Sequence, residues 1–544
     1  MSNEGIYEAS DRGYAAKIDP LTDDVHEYMS HNTRQSGEQI NLCHWRTRPK
    51  NEEVSVMAET MKVYEALAGA LAQAQIGALF GVAGDANVYM IDSFVRAQGG
   101  EFVAAANENG AALMALGYAS VSGKVGFATV THGPAVTNTL TALIEGVKAA
   151  TPMVLICGDT AYGDRQNLQN VAQRELIVAT GAGFEQLNKP ESAVDDLARA
   201  IRRAKAERRP VVFNVPADLM WRITDADQPP MLVSVAGPVV VPNADELEKA
   251  VGIVATARRP IILAGRGAID DESRAALLRL ADRIEAPVAT TLRAKNLFRG
   301  VDFNLGIMGT LSTPKAVDAI MASDCILAFG ADLNFHTTSH GGFVNGKRVV
   351  QVAAEAAGIA RGHAPDVGLV GSVAETVEGV IRWLDEAEIA PSGFRGELAA
   401  TGLATYPPAK PASGEGGSLD YVDILARLDA MLPPDRVLVT DAGRHMIRAM
   451  QYLDVESPRL YVQTASFGSI GLGLPQAIGA AAAEPGRPVV LTIGDGGFML
   501  GGLTEFNTAV RHGMDLIVIL CNDNCYGAEY AQLRDKQMDA SISL

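Results

Sequence analysis

The stretch VVLTIGDGG at residues 489–497 predicts a buried strand that ends in a glycine-rich turn with one aspartate. A second apolar run at 516–521 leads directly into another polar turn, and 503–511 between them has the spacing of a helix. This strand–helix–strand order predicts a parallel sheet whose carboxyl edge carries Asp495 and Asp523. Carboxylate oxygens suit a hard cation such as Mg²⁺, and the glycines let the backbone approach a phosphate closely.

Composition and charge limit what the chain can bind. The sequence has 544 residues, of which 48% are hydrophobic and 20% charged, and its formal net charge is −18. This length predicts roughly three or four domains. The negative charge argues against binding to nucleic acid or to anionic membranes, since both attract basic surfaces. No apolar run reaches membrane-spanning length, and the five cysteines lack zinc-ligand spacing, so we expect a reduced, cytoplasmic protein.

Strand and helix signals alternate along most of the chain, which predicts an α/β fold of three doubly wound parallel-sheet domains. A polar segment without periodicity precedes them, and soft segments rich in proline separate them. The predicted boundaries are an N-terminal extension at 1–56, a first domain at 57–227, a central domain at 243–386 and a third domain at 418–544.

Residues 494–496 (GDG) and 522–524 (NDN) together resemble the cofactor signature of thiamine-diphosphate enzymes. The family has asparagine where this chain has Asp523, which keeps an oxygen donor and adds a charge. From Met57 onward the chain resembles the acetolactate synthase and 2-oxo acid decarboxylase group. The resemblance implies a pyrimidine-binding first domain, a central domain and a diphosphate-binding third domain. It also implies a homodimer or homotetramer with active sites between subunits. The family continues beyond the point where this chain ends, so we expect a third domain that is incomplete at its C-terminus.

The resemblance places thiamine diphosphate and Mg²⁺ at the third domain. Asp495, Asp523 and the backbone carbonyl of Cys525 are the implied metal ligands. Ile470 is the implied aliphatic residue beneath the cofactor. The implied cofactor-binding residues are Gly443, His445, Ser469, Ile470, Gly494, Asp495, Gly496, Gly497, Asn522 and Tyr526.

Four further residues are candidates for catalysis by the same resemblance. Glu108 matches the glutamate that bonds the pyrimidine ring and activates the cofactor, although a glutamate there could also cap the following helix. Gln173 resembles an active-site glutamine. His132 could relay protons or bind a carboxylate, or it could be a structural turn histidine. Glu529 lies where decarboxylases place a proton-donating glutamate, or it is an exposed helix residue.

The central domain departs from that of the synthases, which bind FAD there. The turn after the strand 325–329 lacks the expected arginine, and the strand 349–355 lacks the expected Asp-x-Asp end. The sequence therefore disfavours FAD but leaves it open. Arg266 and Arg361 are the nearby residues that would suit a nucleotide.

The resemblance implies an enzyme that uses thiamine diphosphate and Mg²⁺ to cleave or ligate next to the carbonyl of a small-molecule 2-oxo acid. Decarboxylase and acetolactate synthase-like carboligase remain open, because the outcome depends on the shape of the substrate pocket. One alternative is an acyl-CoA lyase or decarboxylase of the same superfamily. Another is an inactive regulatory homologue that binds the cofactor.

Overall fold

Three parallel β-sheets organise the chain. The computed structural model describes residues 61–224, 239–408 and 420–543, which we call the first, central and third regions. The predicted α/β class with three parallel sheets is confirmed, and the third sheet is the smallest. The predicted N-terminal extension at 1–56 lies outside the described residues. Among the residues described, no helix combines the length and the apolar composition that a bilayer crossing requires.

The first region is built on a six-stranded sheet that helices cover. Its strands are β1 Met61–Lys62, β2 Ala78–Gly81, β3 Glu101–Ala104, β4 Gly126–Val130, β5 Met153–Asp159, β6 Gly183–Gln186, β7 Pro210–Pro216 and β8 Ile223–Thr224. Its helices are α1 Val63–Gln73, α2 Val88–Asp92, α3 Glu108–Ser122, α4 Pro134–Thr137, α5 Leu140–Lys148, α6 Gln173–Ala179, α7 Ala193–Glu207 and α8 Ala217–Met220. The sheet order is β3-β2-β4-β5-β7-β6, and β1 pairs antiparallel with β8 beside it. Strand β7 is buried throughout, as expected for an apolar run with helices on both faces.

The central region has the same architecture. Its strands are β9 Pro260–Ala264, β10 Val288–Thr290, β11 Asn304–Ile307, β12 Cys325–Phe329, β13 Arg348–Ala353 and β14 Val367–Val370. Its helices are α9 Ala244–Thr256, α10 Asp271–Arg283, α11 Pro314–Ala322 and α12 Val373–Glu386. The six strands are parallel, in the order β11-β10-β9-β12-β13-β14.

The third region contains a four-stranded parallel sheet. Its strands are β15 Val437–Thr440, β16 Tyr461–Gln463, β17 Val489–Gly494 and β18 Leu516–Cys521, in the order β16-β15-β17-β18. Its helices are α13 Tyr421–Met431, α14 Met446–Tyr452, α15 Gly473–Ala483, α16 Asp495–Gly497, α17 Leu503–Arg511 and α18 Gly527–Asp535. Strands β17 and β18 are adjacent and in register, so the two polar turns predicted from the sequence follow neighbouring strand ends.

Helix α17 begins and ends where the sequence pattern indicates, but most of its apolar side chains face outward. On this helix, the Thr508 side chain is buried. Leu503, Phe506 and Val510 are 49%, 43% and 64% exposed. The periodicity therefore predicted the helix correctly, while the apolar side chains do not pack into the core of this chain.

Helices α3 and α15 bring the first and third regions into close contact. They run antiparallel, with Gly117 facing Gln476 and Gly479 facing Met114. A Cβ atom at either glycine would overlap the backbone carbonyl of the facing residue, so only glycine permits this approach. This register places the N-terminal end of α3 beside the C-terminal end of α15.

Two buried glutamates tie loops of the first and third regions together. Glu505 on α17 accepts hydrogen bonds from the backbone N–H groups of Ala106 and Asn107, at 3.1 and 3.0 Å. Glu145 on α5 accepts from the two N–H groups of residues 466–467, at 3.1 and 2.6 Å. Both carboxylates thus replace lost hydration with backbone donors, which is the condition for burying a charge without a large penalty.

Candidate active site

Asp441 organises the carboxyl edge of the third sheet. It follows β15, is fully buried, and accepts hydrogen bonds from the N–H groups of Gly471, Leu472 and Gly473 at 2.9, 3.1 and 3.0 Å. Burial raises its pKa to about 6, although these N–H groups oppose that shift. A Cβ atom on Gly497 would lie 2.6 Å from the Asp441 carboxylate. Asp441 therefore holds the 471–473 turn against the start of the helical segment that follows β17.

The predicted metal ligands lie at neighbouring strand ends. Gly494, the last residue of β17, pairs with Cys521, the last residue of β18, so Asp495 and Asp523 follow adjacent positions on this edge. Burial raises the pKa of Cys521, and the negative charges of both aspartates add to the shift, which places both within electrostatic reach of one thiol. In the described ranges, no three His, Cys, Asp or Glu side chains cluster as metal ligands. A cation here would need backbone or phosphate oxygens besides the two carboxylates.

Other predicted residues of this edge surround the same turn. Asn522 accepts a hydrogen bond from the N–H of Asn524 at 2.9 Å, and Asn524 has a φ of +56°. The Tyr526 ring lies over Gly496, where a Cβ atom would come within 2.9 Å of it. Cys525, which lies between Asn524 and Tyr526 in the sequence, is half-buried. The turn is therefore a tight polar loop beside the start of α16.

His445 carries the clearest sign of a missing partner. Its ring lies beside Gly443, where a Cβ atom would approach Nδ1 within 2.9 Å, and against Gly494. Its Nε2 atom is buried and makes no hydrogen bond within the described part of the chain. Burial lowers the pKa of His445, while an interaction with the Thr492 backbone and, to a smaller extent, the charge of Asp523 oppose that change. A buried ring nitrogen without a partner favours a polar ligand at this point.

Ser469 and Ile470 lie in the loop between β16 and α15. The Ser469 hydroxyl donates to the carbonyl of Ile470 at 3.2 Å, and both side chains are half-buried. Gly471 follows with a φ of +81°, which L side chains rarely adopt. The loop therefore presents an aliphatic side chain next to the backbone turn that Asp441 holds.

Glu108 lies at a different edge, at the start of α3 in the first region. Asn107 caps this helix by accepting from Gly110 N–H, and Asn138 donates to the Glu108 carboxylate at 3.0 Å. Glu108 is half-buried in the first turn of the helix. The capping role that the sequence left open thus belongs to Asn107, since its side chain accepts the capping hydrogen bond.

His132 lies in the turn after β4, and Gln173 is the first residue of α6. Both are buried. His132 Nδ1 is 3.1 Å from the Thr131 hydroxyl and 3.6 Å from Asp85. The hydrogen bond from Thr131 lowers the pKa of Asp85. Burial opposes this shift, and His132 adds to it by a smaller amount. Gln173 accepts from the N–H of Gly133 at 2.6 Å and donates to two first-region oxygens. In this arrangement, Gln173 fixes the loop that carries His132.

The chain does not bring Glu108 to the third-sheet edge. Because α3 and α15 are antiparallel, Glu108 lies near the C-terminal end of α15, whereas Ile470 precedes its N-terminus. At about 1.5 Å of rise per residue, the two lie roughly 20 Å apart along the helix axes. Glu529, in the first turn of α18, is exposed at the surface of the third region. The structure therefore groups the predicted residues at two separate edges.

A large cleft opens at the carboxyl edge of the central sheet. It has a volume of about 890 Å³ and borders the turns that follow β9, β10, β12, β13 and β14. Arg266 lies in the turn after β9, and Arg361 lies farther along the chain after β13. Both line the cleft. Glycines at 265 and 267 pack so closely on Gly330 that a Cβ at either would overlap its backbone. This is where open parallel sheets bind ligands.

Three family models match the chain, one in each region. A thiamine pyrophosphate enzyme N-terminal TPP binding domain matches residues 61–180, a central domain matches 247–380, and a C-terminal TPP binding domain matches 441–543. The chain belongs to the thiamine pyrophosphate enzyme family. The predicted recognition is confirmed, and the two TPP-binding domains indicate thiamine diphosphate as the cofactor.

Curated relatives of this family place the chain in the acetolactate synthase and decarboxylase superfamily. The chain is 28% identical over 473 residues to an acetolactate synthase of Mycobacterium bovis, covering 85% of this chain and 76% of the relative. It is 28% identical over 495 residues to a sulfoacetaldehyde acetyltransferase of Rhodobacter capsulatus, covering 86% and 83%. It is 26% identical over 494 residues to an acetolactate synthase large subunit of Corynebacterium glutamicum, covering 87% and 76%.

Sequence reasoning missed several residues that shape these edges. Asp441 was not among the predicted site residues, and its three N–H contacts could not be read from the sequence. Glu145 and Glu505 were not singled out, although a glutamate in a helix of small and apolar residues is a usable signal for a buried polar contact. Asp85 was missed because its partner Thr131 is far away in sequence.

Proposed function

We propose that this chain is a thiamine-diphosphate- and Mg²⁺-dependent enzyme that cleaves or forms a carbon–carbon bond next to the carbonyl of a 2-oxo acid. The observation that carries the proposal is the third-sheet edge. There the His445 ring packs against Gly494 through its Nδ1 side and has an unpartnered Nε2 atom, and two aspartates follow the adjacent strand ends. This combination suits a diphosphate that reaches the protein through a cation and one direct donor.

The residues of this edge fit the cofactor in distinct roles. Asp495, Asp523 and the carbonyl of Cys525 would hold Mg²⁺, and His445 Nε2 would donate to a diphosphate oxygen. Ile470 would present its aliphatic side chain to the ring system. Bound thiamine diphosphate supplies a nucleophilic carbon that adds to the substrate carbonyl and then accepts the electron pair of the broken bond.

A second copy of the chain would supply Glu108. The separation of about 20 Å along the helix axes prevents one chain from placing both edges on one cofactor. Exposed apolar side chains on and near α17, including Met499 and Phe506, give the third region a surface that suits a protein partner. In a homodimer or homotetramer, Glu108 would hold a proton at the pyrimidine ring while Asn138 fixes its carboxylate.

The remaining residues would handle the substrate. His132 would orient a carboxylate or relay a proton from a position that Thr131 and Asp85 fix. Gln173 would act by positioning the backbone at Gly133. Glu529, which is exposed in one chain, would donate a proton to the product carbon after CO₂ leaves.

The central cleft supports a second candidate, an acyl-CoA lyase or decarboxylase. Its volume of about 890 Å³ and its arginines suit the nucleotide part of such a substrate. FAD would occupy the same cleft and remains a prediction that the sequence disfavours. An inactive regulatory homologue is the third candidate, since cofactor binding alone needs neither Glu108 nor Glu529.

Two measurements test the proposal. Thermal denaturation with thiamine diphosphate should show a rise in melting temperature that requires Mg²⁺. Purified protein should then release CO₂ from at least one member of a panel of 2-oxo acids, with or without a ligated product. CO₂ release from an acyl-CoA substrate alone would favour the second candidate. Cofactor binding without turnover of either class would favour the regulatory homologue, and no cofactor binding would refute all three.

A further inference from the structure

The Glu505 carboxylate lies beside the turn that leads into helix α3, although Glu505 belongs to the third region. It is fully buried, and it accepts hydrogen bonds from Ala106 N–H through Oε2 at 3.1 Å and from Asn107 N–H through Oε1 at 3.0 Å. A Cβ atom on Gly110 would come within 2.0 Å of Oε1, so the carboxylate also fills the space against the first turn of α3. Backbone N–H groups at the start of a helix lack intrahelical partners, and this carboxylate supplies them.

Helix α17 contacts the other end of the same turn as well. Arg511, its last residue, donates from Nη2 to the carbonyl of Ala104 at 2.9 Å, and Ala104 is the last residue of β3. Together with the two bonds to Glu505, this contact fixes the segment 104–107 between β3 and α3. Glu108 is the next residue, so helix α17 of the third region sets where the backbone of Glu108 lies.

The helix that carries Glu505 begins at the third-sheet edge. Helix α16, one π-helical turn and helix α17 form a continuous helical segment over residues 495–511. The middle of this segment packs directly on the turn before α15, because a Cβ atom on Gly501 would lie 2.4 Å from the Gly471 carbonyl oxygen. At about 1.5 Å per residue, Asp495 and Glu505 lie roughly 15 Å apart along the segment. One helical segment therefore joins the predicted metal ligand to the turn that precedes α3.

The joint between the first and third regions does not need this charge for its area. Helices α3 and α15 already pack against each other through small and apolar residues. A buried carboxylate is costly unless donors replace its hydration, and both donors to Glu505 come from the turn before Glu108. The carboxylate therefore selects one placement of this turn instead of adding apolar contact.

We propose that Glu505 is a positioning residue for Glu108, which it controls by holding the start of α3 in one place. This inference rests on the proposed function, in which Glu108 activates thiamine diphosphate held by a second copy of the chain. The helical segment 495–511 then serves two sites, because it begins at the cofactor of one site and places the glutamate of the other. Loss of the Glu505 carboxylate impairs activation of the cofactor without weakening its binding.

The first measurement needs no cofactor. Amide hydrogen exchange, followed by mass spectrometry on the full chain, compares the wild type with Glu505→Gln. Glutamine turns a donor toward backbone N–H groups, so exchange in the segment 104–112 should be at least about tenfold faster, with the segment 466–472 unchanged. Glu145→Gln is the matched control, since its carboxylate accepts from residues 466–467, and it should change only the second segment.

Two results of this measurement would overturn the proposal. One is equal exchange of the segment 104–112 in the wild type and E505Q, which would show that the turn does not depend on the carboxylate. The other is faster exchange of that segment in E145Q as well, which would show a general loosening of the joint between the regions.

The second measurement separates positioning from a structural role. The wild type, E505Q, Glu108→Gln and the double variant are saturated with thiamine diphosphate and Mg²⁺. Deuterium exchange at the reactive carbon of the cofactor is then followed by NMR. E505Q should bind the cofactor with wild-type affinity and slow this exchange at least about tenfold. The double variant should be no slower than E108Q, because both changes act through one group.

A conservative variant guards against a folding defect. Glu505→Asp keeps the charge on a shorter side chain, so it should exchange the cofactor proton at a rate between those of the wild type and E505Q. A lower melting temperature in E505Q and E505D with wild-type rates of cofactor exchange would mean a merely structural role and would overturn the proposal. Additive slowing in the double variant would overturn it too.

Failure of the proposed function gives a different result. If the wild type bound no thiamine diphosphate in the presence of Mg²⁺, the proposed function would be refuted and the role of Glu505 in activation with it. If the wild type bound and activated the cofactor while E505Q did so at the same rate, only the role of Glu505 would be refuted.

Discussion

The third and central sheets present the same kind of edge, the carboxyl ends of parallel strands, with opposite electrostatics. The third edge carries Asp495 and Asp523 beside backbone N–H groups. The central edge carries Arg266 and Arg293, and the charges of Glu145 and Asp332 only partly offset the burial of Arg293. An acidic edge holds a phosphate mainly through a cation, whereas a basic edge can hold it directly. The fold therefore fixes where a ligand binds, and the side chains at the strand ends decide how.

The largest expected effect is on the Mg²⁺-dependent binding of thiamine diphosphate at the third-sheet edge. Asp495→Asn should weaken thiamine diphosphate binding in the presence of Mg²⁺ by about 100-fold, because a charged ligand of the cation is lost. Calorimetric titration with thiamine diphosphate measures the affinity. The comparison fails if EDTA leaves cofactor binding unchanged, or if Asp332→Asn at the central cleft has the same effect as D495N.

Asp441 tests whether the acidic edge depends on buried backbone contacts. Asp441→Asn replaces an acceptor with a donor facing N–H groups, and it should lower the free energy of unfolding by about 1–3 kcal/mol. Denaturant unfolding monitored in the third region measures the loss. An unchanged midpoint would show that the turn at 471–473 does not need this carboxylate.

The same residue predicts a pH dependence. Its pKa is raised to about 6 from an ordinary 3.8, so the stability contributed by its protonated form is fully present below about pH 4 and is lost as the pH rises through 6. The stability difference between wild type and D441N should therefore be larger at pH 5 than at pH 7, by about 1 kcal/mol. A smaller difference at pH 5 would contradict the raised pKa.

His445 should have a moderate effect confined to the acidic edge. His445→Ala removes a ring nitrogen, Nε2, that has no hydrogen-bond partner within the described protein, so it should weaken thiamine diphosphate binding about tenfold. Fluorescence or calorimetric titration provides the affinities. Equal cofactor affinity in H445A and wild type would contradict the role of His445 on which the proposed function rests.

Glu145 should have the smallest effect, because its carboxylate is engaged by the backbone N–H groups that join the first and third regions. Glu145→Gln keeps one acceptor for the N–H groups of residues 466–467, so the loss of stability should be about 1 kcal/mol. Thermal denaturation with and without thiamine diphosphate measures it. A loss of cofactor affinity would show that Glu145 also belongs to the cofactor site.

The sequence predicted the strands, their order of appearance and the residues at their ends, because parallel strands place consecutive turn residues at one edge. It did not predict the three N–H contacts of Asp441, which join residues about 30 positions apart and depend on how the 471–473 turn folds back. The arginines of the central cleft were partly hidden, since Arg208 and Arg293 lie far apart in the sequence and only Arg266 and Arg361 were predicted. The exposed face of α17 shows a further limit, because periodicity reveals a helix but not what covers it.

Mixing two inactive variants tests most directly whether two copies build one thiamine-diphosphate site. Glu108→Gln should remove activation, and Asp495→Asn should remove cofactor binding, so each homo-oligomer is inactive. When both variants are co-expressed with different tags, a mixed dimer contains one site with both residues intact. Random pairing predicts recovery of about a quarter of wild-type CO₂ release. No activity in isolated mixed dimers would contradict a site shared between chains.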